Sequence, residues 1–176
     1  MKEKQAVIFC SANKDIDEIF GQTAREVVRA VCSAGYGITS GGTIKGTMGV
    51  ISDTCRDIGA YHRGVLPRFM ADFAYPHLDE IVWTEKMSER KDCMREGTCL
   101  AIALPGGIGT FDELIETMTL KKLDKYPGRI VVINVNGYFE PLRELLDNMV
   151  KTNMLYPKDR ALIDFISTVE ELKSII

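Results

Sequence analysis

The sequence predicts a single domain built on a doubly wound, mostly parallel α/β sheet flanked by helices. Short, almost continuously apolar runs alternate with helical patterns along the whole chain, as expected for strands that are covered on both faces. No linker, repeat or low-complexity segment interrupts this alternation. With 176 residues, 45% of them hydrophobic, the chain can form a full apolar core without metals or disulfides. We therefore predict one domain over residues 1–176.

The β-rich apolar runs predict the strands, and capping signals mark two of the helices between them. The predicted strands are residues 6–10, 37–39, 64–66, 80–84, 99–104 and 129–135. Asp15-Ile16-Asp17-Glu18 starts a helix that ends at Gly35, and Thr168-Val169-Glu170-Glu171 starts the last helix. In a doubly wound sheet, ligands bind beyond the carboxyl ends of the strands. The loops from strand to helix are therefore the places where a site is expected.

Composition excludes several kinds of partner. The net charge is −3, and no basic cluster is longer than Lys121-Lys122, so a nucleic-acid partner is not expected. No apolar run approaches the ~20 residues that a membrane span needs, and no segment fits a signal peptide. The five cysteines form no Cys-x-x-Cys pair, and His62 and His77 lie far apart. We expect a cytoplasmic protein with no metal site and no disulfide framework.

The first of two glycine-rich loops follows the predicted strand 37–39. It reads Ser40-Gly41-Gly42-Thr43-Ile44-Lys45-Gly46-Thr47-Met48-Gly49. Glycines at a helix start let backbone amides approach an anion closely. The loop is not a Walker A motif, because Thr47 stands where that motif requires lysine. Taken alone, it fits a plain chain reversal as well as a phosphate site.

The second glycine-rich loop is denser and follows the most hydrophobic predicted strand. It reads Leu104-Pro105-Gly106-Gly107-Ile108-Gly109-Thr110-Phe111-Asp112-Glu113-Leu114. The amides of residues 106–110 can converge on an oxyanion at the start of the next helix, which predicts a phosphate site. Glu113 has two interpretations: it closes a capping box with the amide of Thr110, or it faces the ligand.

A cationic helix start forms the third element, Met87-Ser88-Glu89-Arg90-Lys91. With Ser88 as the N-cap, Arg90 and Lys91 would lie in the first turn, where the helix dipole disfavours cations. Pairing of these cations with neighbouring carboxylates is one explanation. Together with the two glycine loops, however, the cations favour a shared anion site.

These motifs resemble those of the Lonely Guy (LOG) family, the cytokinin riboside 5′-monophosphate phosphoribohydrolases, which carry the older label possible lysine decarboxylase. The resemblance extends over nearly the whole chain, and the Pro-Gly-Gly-x-Gly-Thr-x-x-Glu block is its most specific part. It implies a Rossmann-like fold, a homodimer and no cofactor. It also implies hydrolysis of the N-glycosidic bond of an adenosine 5′-monophosphate, either AMP or an N6-substituted, cytokinin-type nucleotide, to free base and ribose 5-phosphate.

The resemblance also implies which residues act. Arg90 and Glu113 match the catalytic pair. The residues that match substrate and phosphate binding are Ser40, Gly41, Gly42, Gly46, Met87, Lys91, Pro105, Gly106, Gly107, Gly109 and Thr110. Three positions depart from the family pattern: Ser88 stands where histidine is common, and Thr43 and Thr47 replace a glycine and a leucine. These departures bear on the preferred base more than on the reaction.

Two alternatives to this activity remain open from the sequence. A non-catalytic nucleotide or molybdenum-cofactor carrier of the same fold would use the glycine loops but would not need Arg90 and Glu113. A lysine decarboxylase would need pyridoxal phosphate on a lysine, and the chain lacks a Ser-x-His-Lys block. A nucleosidase acting on AMP without regard to N6 substitution would differ from the LOG activity only in its base pocket.

Overall fold

The computed structural model describes residues 4–176; residues 1–3, which were counted in the predicted domain, lie outside the described residues. The described chain forms a seven-stranded sheet in the order β4-β3-β2-β1-β5-β6-β7, in which all neighbouring strands are parallel. The strands are β1 Gln5–Phe9, β2 Gly37–Ser40, β3 His62–Pro67, β4 Glu80–Thr84, β5 Leu100–Ala103, β6 Arg129–Ile133 and β7 Ile163–Ile166. This confirms the predicted doubly wound, Rossmann-like α/β fold.

The predicted strands are all present, and their ends shift by up to two residues. The sequence did not predict β7. This strand is short, lies at the edge of the sheet beside β6, and is only half-buried over most of its length. An edge strand is covered less completely than a central one, so its residues do not form the continuous apolar run that identified the other strands.

Helices connect the strands and cover both faces of the sheet. They are α1 Glu18–Ser33, α2 Gly46–Asp57, α3 Met87–Arg95, α4 Ile108–Lys122, α5 Glu140–Lys151, α6 Pro157–Arg160 and α7 Val169–Lys173, with 3-10 helices at Arg68–Phe73 and Val135–Gly137. One face packs against α1, α2 and α7, and the other packs against α4, α5 and part of α3. Side chains alternate between these two cores along β1, so that Ile8 points into one and Val7 into the other.

Capping side chains start both predicted helices, but the N-cap of α1 lies two residues later than the Asp15–Glu18 capping box predicted, whereas the cap of α7 is confirmed. The Asp17 carboxylate accepts the Ile19 amide at the start of α1, and the Thr168 hydroxyl accepts the Glu171 amide at the start of α7. Both contacts satisfy amides that have no partner inside the helix. Within residues 4–176, none of the helices combines the length and apolarity that crossing a membrane requires.

Two other predicted helix starts are wrong. Ser88 is not the N-cap of α3: the helix begins at Met87, and Glu89 turns back to accept the Glu85 amide. Thr110 is not the N-cap of α4, because Gly107 holds that position and the helix begins at Ile108. In both cases the helix begins before the residue whose side chain was expected to cap it. Lys86 and Gly107, in the loops between strand and helix, already have the extended backbone of an N-cap.

The topology identifies the place where a ligand site is expected. From β1 the chain moves through β2 and β3 towards one edge of the sheet, and from β5 it moves through β6 and β7 towards the other. β1 and β5 are neighbours, with Phe9 opposite Ala103 near their carboxyl ends. A crevice opens where the winding direction reverses in this way. The second glycine loop leaves β5 directly at this crevice.

Candidate active site

A cavity of about 460 Å³ lies at the carboxyl ends of the central strands. Its lining includes Gly41 from the first glycine loop, and Gly107, Gly109 and Thr110 from the second. The apolar part of the lining contains methionines from three different elements: Met48 from α2, Met70 from the 3-10 helix 68–73, and Met87 and Met94 from α3. We call these four side chains the methionine wall. The cavity therefore combines polar loop groups with apolar side chains.

Arg90 and Glu113 meet in this cavity. Arg90 Nη1 donates to Glu113 Oε1 at 2.9 Å, and Arg90 Nε donates to the Val65 carbonyl at 3.0 Å. Arg90 is 8% exposed and Glu113 is 7% exposed. α3 supplies the guanidinium and α4 the carboxylate, so the pair joins the two helices at the mouth of the crevice. Glu113 is consequently not engaged in a capping box with Thr110, which resolves the two interpretations that the sequence allowed.

Gly41 provides the space that the Arg90 guanidinium occupies. A Cβ atom at this position would lie 2.4 Å from Arg90 Nη2 and 2.5 Å from Met48 Sδ. Such distances are shorter than van der Waals contact, so even a methyl group would displace one of these side chains. The first glycine loop therefore contributes to the site through an absent side chain.

Burial governs the protonation of the groups in the cavity. It raises the pKa of Glu113 above its ordinary value, and the Arg90 charge opposes this rise. Cys10, at the end of β1, also lines the cavity, and burial together with the Glu113 charge raises the pKa of its thiol strongly. Cys10 is therefore a neutral thiol and not a reactive thiolate.

The second glycine loop presents backbone amides that are unused within the protein. In the part of the chain that the structure describes, none of the amides of residues 106–110 donates a hydrogen bond. The Thr110 hydroxyl oxygen is buried and has no partner among the described residues. Amides at the start of a 15-residue helix carry its positive dipole end. The loop can therefore bind an anion such as a phosphate group.

The first glycine loop differs, because several of its amides are already bonded inside the protein. The Gly42 amide donates to Ser40 Oγ at 3.1 Å, and the Ile44 amide donates to the Phe73 carbonyl at 2.9 Å. Ser40 Oγ also lies 2.8 Å from His62 Nε2, and burial lowers the pKa of His62 to about 4. His62 is consequently neutral at physiological pH. These bonds fix the shape of the loop.

The predicted site residues divide into two groups. Those that line the cavity are Arg90, Glu113, Gly41, Met87, Gly107, Gly109 and Thr110. The other six predicted residues lie outside its lining: Ser40, Gly42, Gly46, Lys91, Pro105 and Gly106. Gly106 makes room for Thr110, because a Cβ there would lie 2.1 Å from Thr110 Oγ1. The Lys91 ammonium is turned away to α4, where it pairs with Asp112 and Glu116.

Several lining residues were missed by sequence reasoning. The loop after β1, residues 10–13, forms part of the cavity wall, and so do Met48, Met70 and Met94. The position of β1 at the reversal of winding could have indicated its loop. The methionines gave no such signal, because a cavity wall and a core require the same apolar side chains. Among the described residues, no group of three His, Cys, Asp or Glu side chains is arranged to hold a metal ion.

Comparison with known proteins identifies relatives over most of the chain. The family described as possible lysine decarboxylase matches residues 48–176. A protein of Oryza sativa subsp. japonica named probable cytokinin riboside 5′-monophosphate phosphoribohydrolase LOGL1 is 31% identical over 94% of this chain and 75% of its own length. A Mycobacterium tuberculosis protein named cytokinin riboside 5′-monophosphate phosphoribohydrolase is 31% identical over 85% of this chain and 81% of its own.

Solved structures share the fold at lower sequence identity. The molybdenum cofactor carrier protein of Chlamydomonas reinhardtii superposes with a TM-score of 0.73 at 18% identity, over 97% of this chain and 94% of its own. The molybdenum cofactor binding protein of Rippkaea orientalis gives 0.71 at 18% identity, over 98% and 97% of the two chains. These likenesses concern the fold. The match over residues 48–176 and the 31% identity to named phosphoribohydrolases show that the chain belongs to the possible lysine decarboxylase family, the LOG family.

Proposed function

We propose that this protein hydrolyses the N-glycosidic bond of an adenosine 5′-monophosphate, AMP or an N6-substituted nucleotide, and releases the free base and ribose 5-phosphate. The observation that carries the proposal is the buried contact between Arg90 and Glu113 beside the unused amides of residues 106–110. A carboxylate next to an anion site is repelled by a bound phosphate, so its position there is costly unless the reaction uses it. The names of the relatives agree with this activity.

The phosphate end of the nucleotide would bind at the second glycine loop. The amides of Gly107, Ile108 and Gly109 and the Thr110 hydroxyl supply donors at the positive end of α4. Gly41, from the first glycine loop, also lines the cavity. Phosphate binding fixes the ribose relative to Glu113, so binding energy far from the reacting bond contributes to catalysis.

Cleavage of the glycosidic bond develops positive charge on the ribose, in an oxocarbenium-like transition state. The Glu113 carboxylate stabilises this charge and takes a proton from the attacking water, whose oxygen bonds to C1′ as the C1′–N bond breaks. The electron pair of that bond leaves with the base, which takes up a proton, so that the net reaction consumes one water. Arg90 holds Glu113 in place and favours its ionised form, because a nearby cation opposes the effect of burial. The methionine wall provides an apolar surface for the base.

The structure gives no support to a lysine decarboxylase. Within residues 4–176, no lysine lines the cavity, so this part of the chain offers no amine there for the aldehyde of pyridoxal phosphate. Lys91 is the nearest lysine in sequence to Arg90, and its ammonium is engaged by Asp112 and Glu116. The older family label therefore does not describe what these residues can do.

The proposal includes the wider setting of the site. We propose that residues 1–176 form one nucleotide-binding unit that acts as a cytoplasmic homodimer. Two large apolar side chains of the cavity lining that reach solvent support association: Ile108 is 90% exposed and Met87 47% exposed. Buried thiols at Cys10 and Cys55 agree with a reducing compartment. Sedimentation velocity tests the dimer, and Ile108→Lys should shift it to monomers.

The deciding experiment is a chromatographic assay of base and ribose 5-phosphate released from AMP and, separately, from N6-isopentenyl-AMP. Glu113→Gln should lower turnover by at least about 100-fold, because it removes the carboxylate that stabilises the transition state. Nucleotide binding, measured by calorimetry, should persist. Glu144→Gln, at an exposed position of α5, is the matched control. Binding without turnover in the parent protein would instead indicate a carrier.

A further inference from the structure

A second set of ion pairs joins α3 to α4 beside the Arg90–Glu113 contact. Lys91 Nζ lies 2.9 Å from Asp112 Oδ2 and 3.1 Å from Glu116 Oε2. Arg95 Nη1 lies 2.9 Å from Glu116 Oε2. We call these four residues, Lys91, Arg95, Asp112 and Glu116, the α3–α4 clamp. Glu116 is shared by both cations, so the clamp is a connected network.

The cations of the clamp are largely buried, whereas its carboxylates reach solvent: the Asp112 side chain is 56% exposed and the Glu116 side chain 33%. The Lys91 side chain is 14% exposed and the Arg95 side chain 5% exposed. Arg95 is further held by Asp92 on its own helix, at 2.6 Å. Isolated, exposed pairs contribute little because water screens them, whereas partly buried networks with several contacts hold a defined geometry. The clamp can therefore restrain the separation of the two helices.

The α3–α4 clamp lies directly beside the Arg90–Glu113 contact. Lys91 directly follows Arg90 and Asp112 directly precedes Glu113, so the two contacts use the same turns of the same helices. Successive helical residues point about 100° apart, so the clamp side chains project away from the cavity that Arg90 and Glu113 line. None of the four clamp residues is part of that lining.

We propose that Lys91 is a positioning residue: by bridging Asp112 and Glu116, it fixes the approach of α3 to α4 at which Arg90 and Glu113 meet in the cavity. The inference rests on the proposed function, in which that pair is catalytic. A displacement of about 1 Å in a reacting group can cost on the order of 100-fold in rate. Loss of the bridge is therefore expected to lower turnover without removing any group from the substrate.

The charges of the clamp provide a second readout. Arg90 contacts Glu113 directly, whereas Lys91 from α3 and Asp112 from its own helix act on it through their charges at longer range, and Cys10, just after β1, is the other ionisable group nearby. Lys91 lowers the pKa of Glu113 and Asp112 raises it. Removing either partner should disturb the same geometry but move the ionisation of Glu113 in opposite directions.

The test compares Lys91→Met with Asp112→Asn in the full chain. Both should lower kcat on the pH plateau by about 10-fold with KM changed less than about twofold, as expected for a misplaced catalytic group. The acid limb of kcat/KM should move to higher pH in Lys91→Met and to lower pH in Asp112→Asn. Lys91→Arg, which keeps the charge and can reach both carboxylates, should recover most of the lost turnover.

Lys122→Met is the matched control. Lys122 lies at the end of α4, the helix of Asp112 and Glu116, and pairs with the buried Asp159 at 3.2 Å, far from the cavity at the start of that helix. Its loss should lower the urea midpoint as Lys91→Met does, but leave kcat unchanged. Urea midpoints also identify any variant that fails to fold, in which case Lys91→Arg and Asp112→Asn carry the test.

The outcomes separate the inference from the proposed function. Parental kcat and an unmoved acid limb in Lys91→Met would overturn the positioning role, and a rise in KM alone would show that Lys91 contacts substrate instead. If the parent protein releases no base, the proposed function fails. The clamp is then tested by ¹³C NMR titration of Glu113: unchanged chemical shift and pKa in Lys91→Met would overturn it, and opposite pKa shifts in the two variants would support it.

Discussion

Arg90 Nη1 lies 2.9 Å from Glu113 Oε1, and each of the two residues is less than a tenth exposed. This contact joins residues 23 positions apart, on two helices that follow different strands. Each charge is removed from water, so each depends on the other for its stability in the folded protein.

Removing the guanidinium should cost both activity and stability. Arg90→Met leaves Glu113 buried without its cation, which is expected to destabilise the fold by about 3 kcal/mol at neutral pH and to abolish turnover. The pKa of Glu113 would rise further, so the stability deficit should shrink as pH falls and the carboxyl group is protonated. Urea unfolding at several pH values measures this.

The control for that prediction is Arg56→Met, which removes an exposed cation that pairs with Asp53 and Asp57. It should change stability by less than about 1 kcal/mol at any pH. If Arg90→Met behaves like this control, Arg90 and Glu113 are not coupled in solution.

Adding one methyl group at Gly41 should displace Arg90. The new Cβ would lie 2.4 Å from Arg90 Nη2, and the guanidinium can move only by giving up its bonds to Val65 and Glu113. Gly41→Ala should therefore lower kcat by at least about 10-fold, as expected for a misplaced group in the site. The assay of base release measures this loss.

Gly21→Ala is the corresponding control, because a Cβ there finds its nearest neighbours at 3.9 Å. Gly21 lies inside α1, so alanine should stabilise the fold slightly, by about 0.5–1 kcal/mol, without affecting turnover. Equal activity of both alanine variants would mean that Arg90 does not need the space at Gly41.

The buried Thr110 hydroxyl should recognise phosphate. Thr110→Val keeps the shape of the side chain but removes the hydroxyl, which has no hydrogen-bond partner among the described residues. We expect KM for the nucleotide to rise by about 10-fold with little change in kcat, because the lost bond to phosphate contributes to binding. Thr119→Val, at an exposed position of the same helix, should leave KM unchanged. A kcat loss at unchanged KM would assign Thr110 to the chemical step.

His62 should make stability depend on pH. Its pKa is lowered from 6.5 to about 4 by burial, so the unfolded chain binds a proton more readily than the folded protein. The contribution of neutral His62 to the free energy of unfolding is fully present above pH 6.5 and is lost as the pH falls towards 4. At pH 4 this loss amounts to about 3 kcal/mol. His62→Gln should remove this part of the acid sensitivity. Guanidinium unfolding between pH 7 and pH 4 gives the slope, and an unchanged slope in the variant would place the titration elsewhere.

Local signals in the sequence determined most of the elements and the two glycine loops. Apolar runs identified β1 to β6, and side-chain acceptors identified the start of α7 at Thr168 and the start of α1 to within two residues, because such patterns depend on near neighbours in the chain. The motif that follows β5 likewise indicated an anion site without any knowledge of packing. The edge strand β7, which lacks a continuous apolar run, escaped the same reasoning.

Tertiary structure decided how these parts meet. Whether Glu113 caps a helix or faces the cavity depends on where α4 begins and on how α3 packs beside it. Sequence patterns place the start of a helix only to within a few residues. Because successive helical residues point about 100° apart, such a shift decides which of Arg90 and Lys91 faces the cavity. The sequence therefore determined the fold and the residue types of the site, and packing between distant helices determined which of them act together.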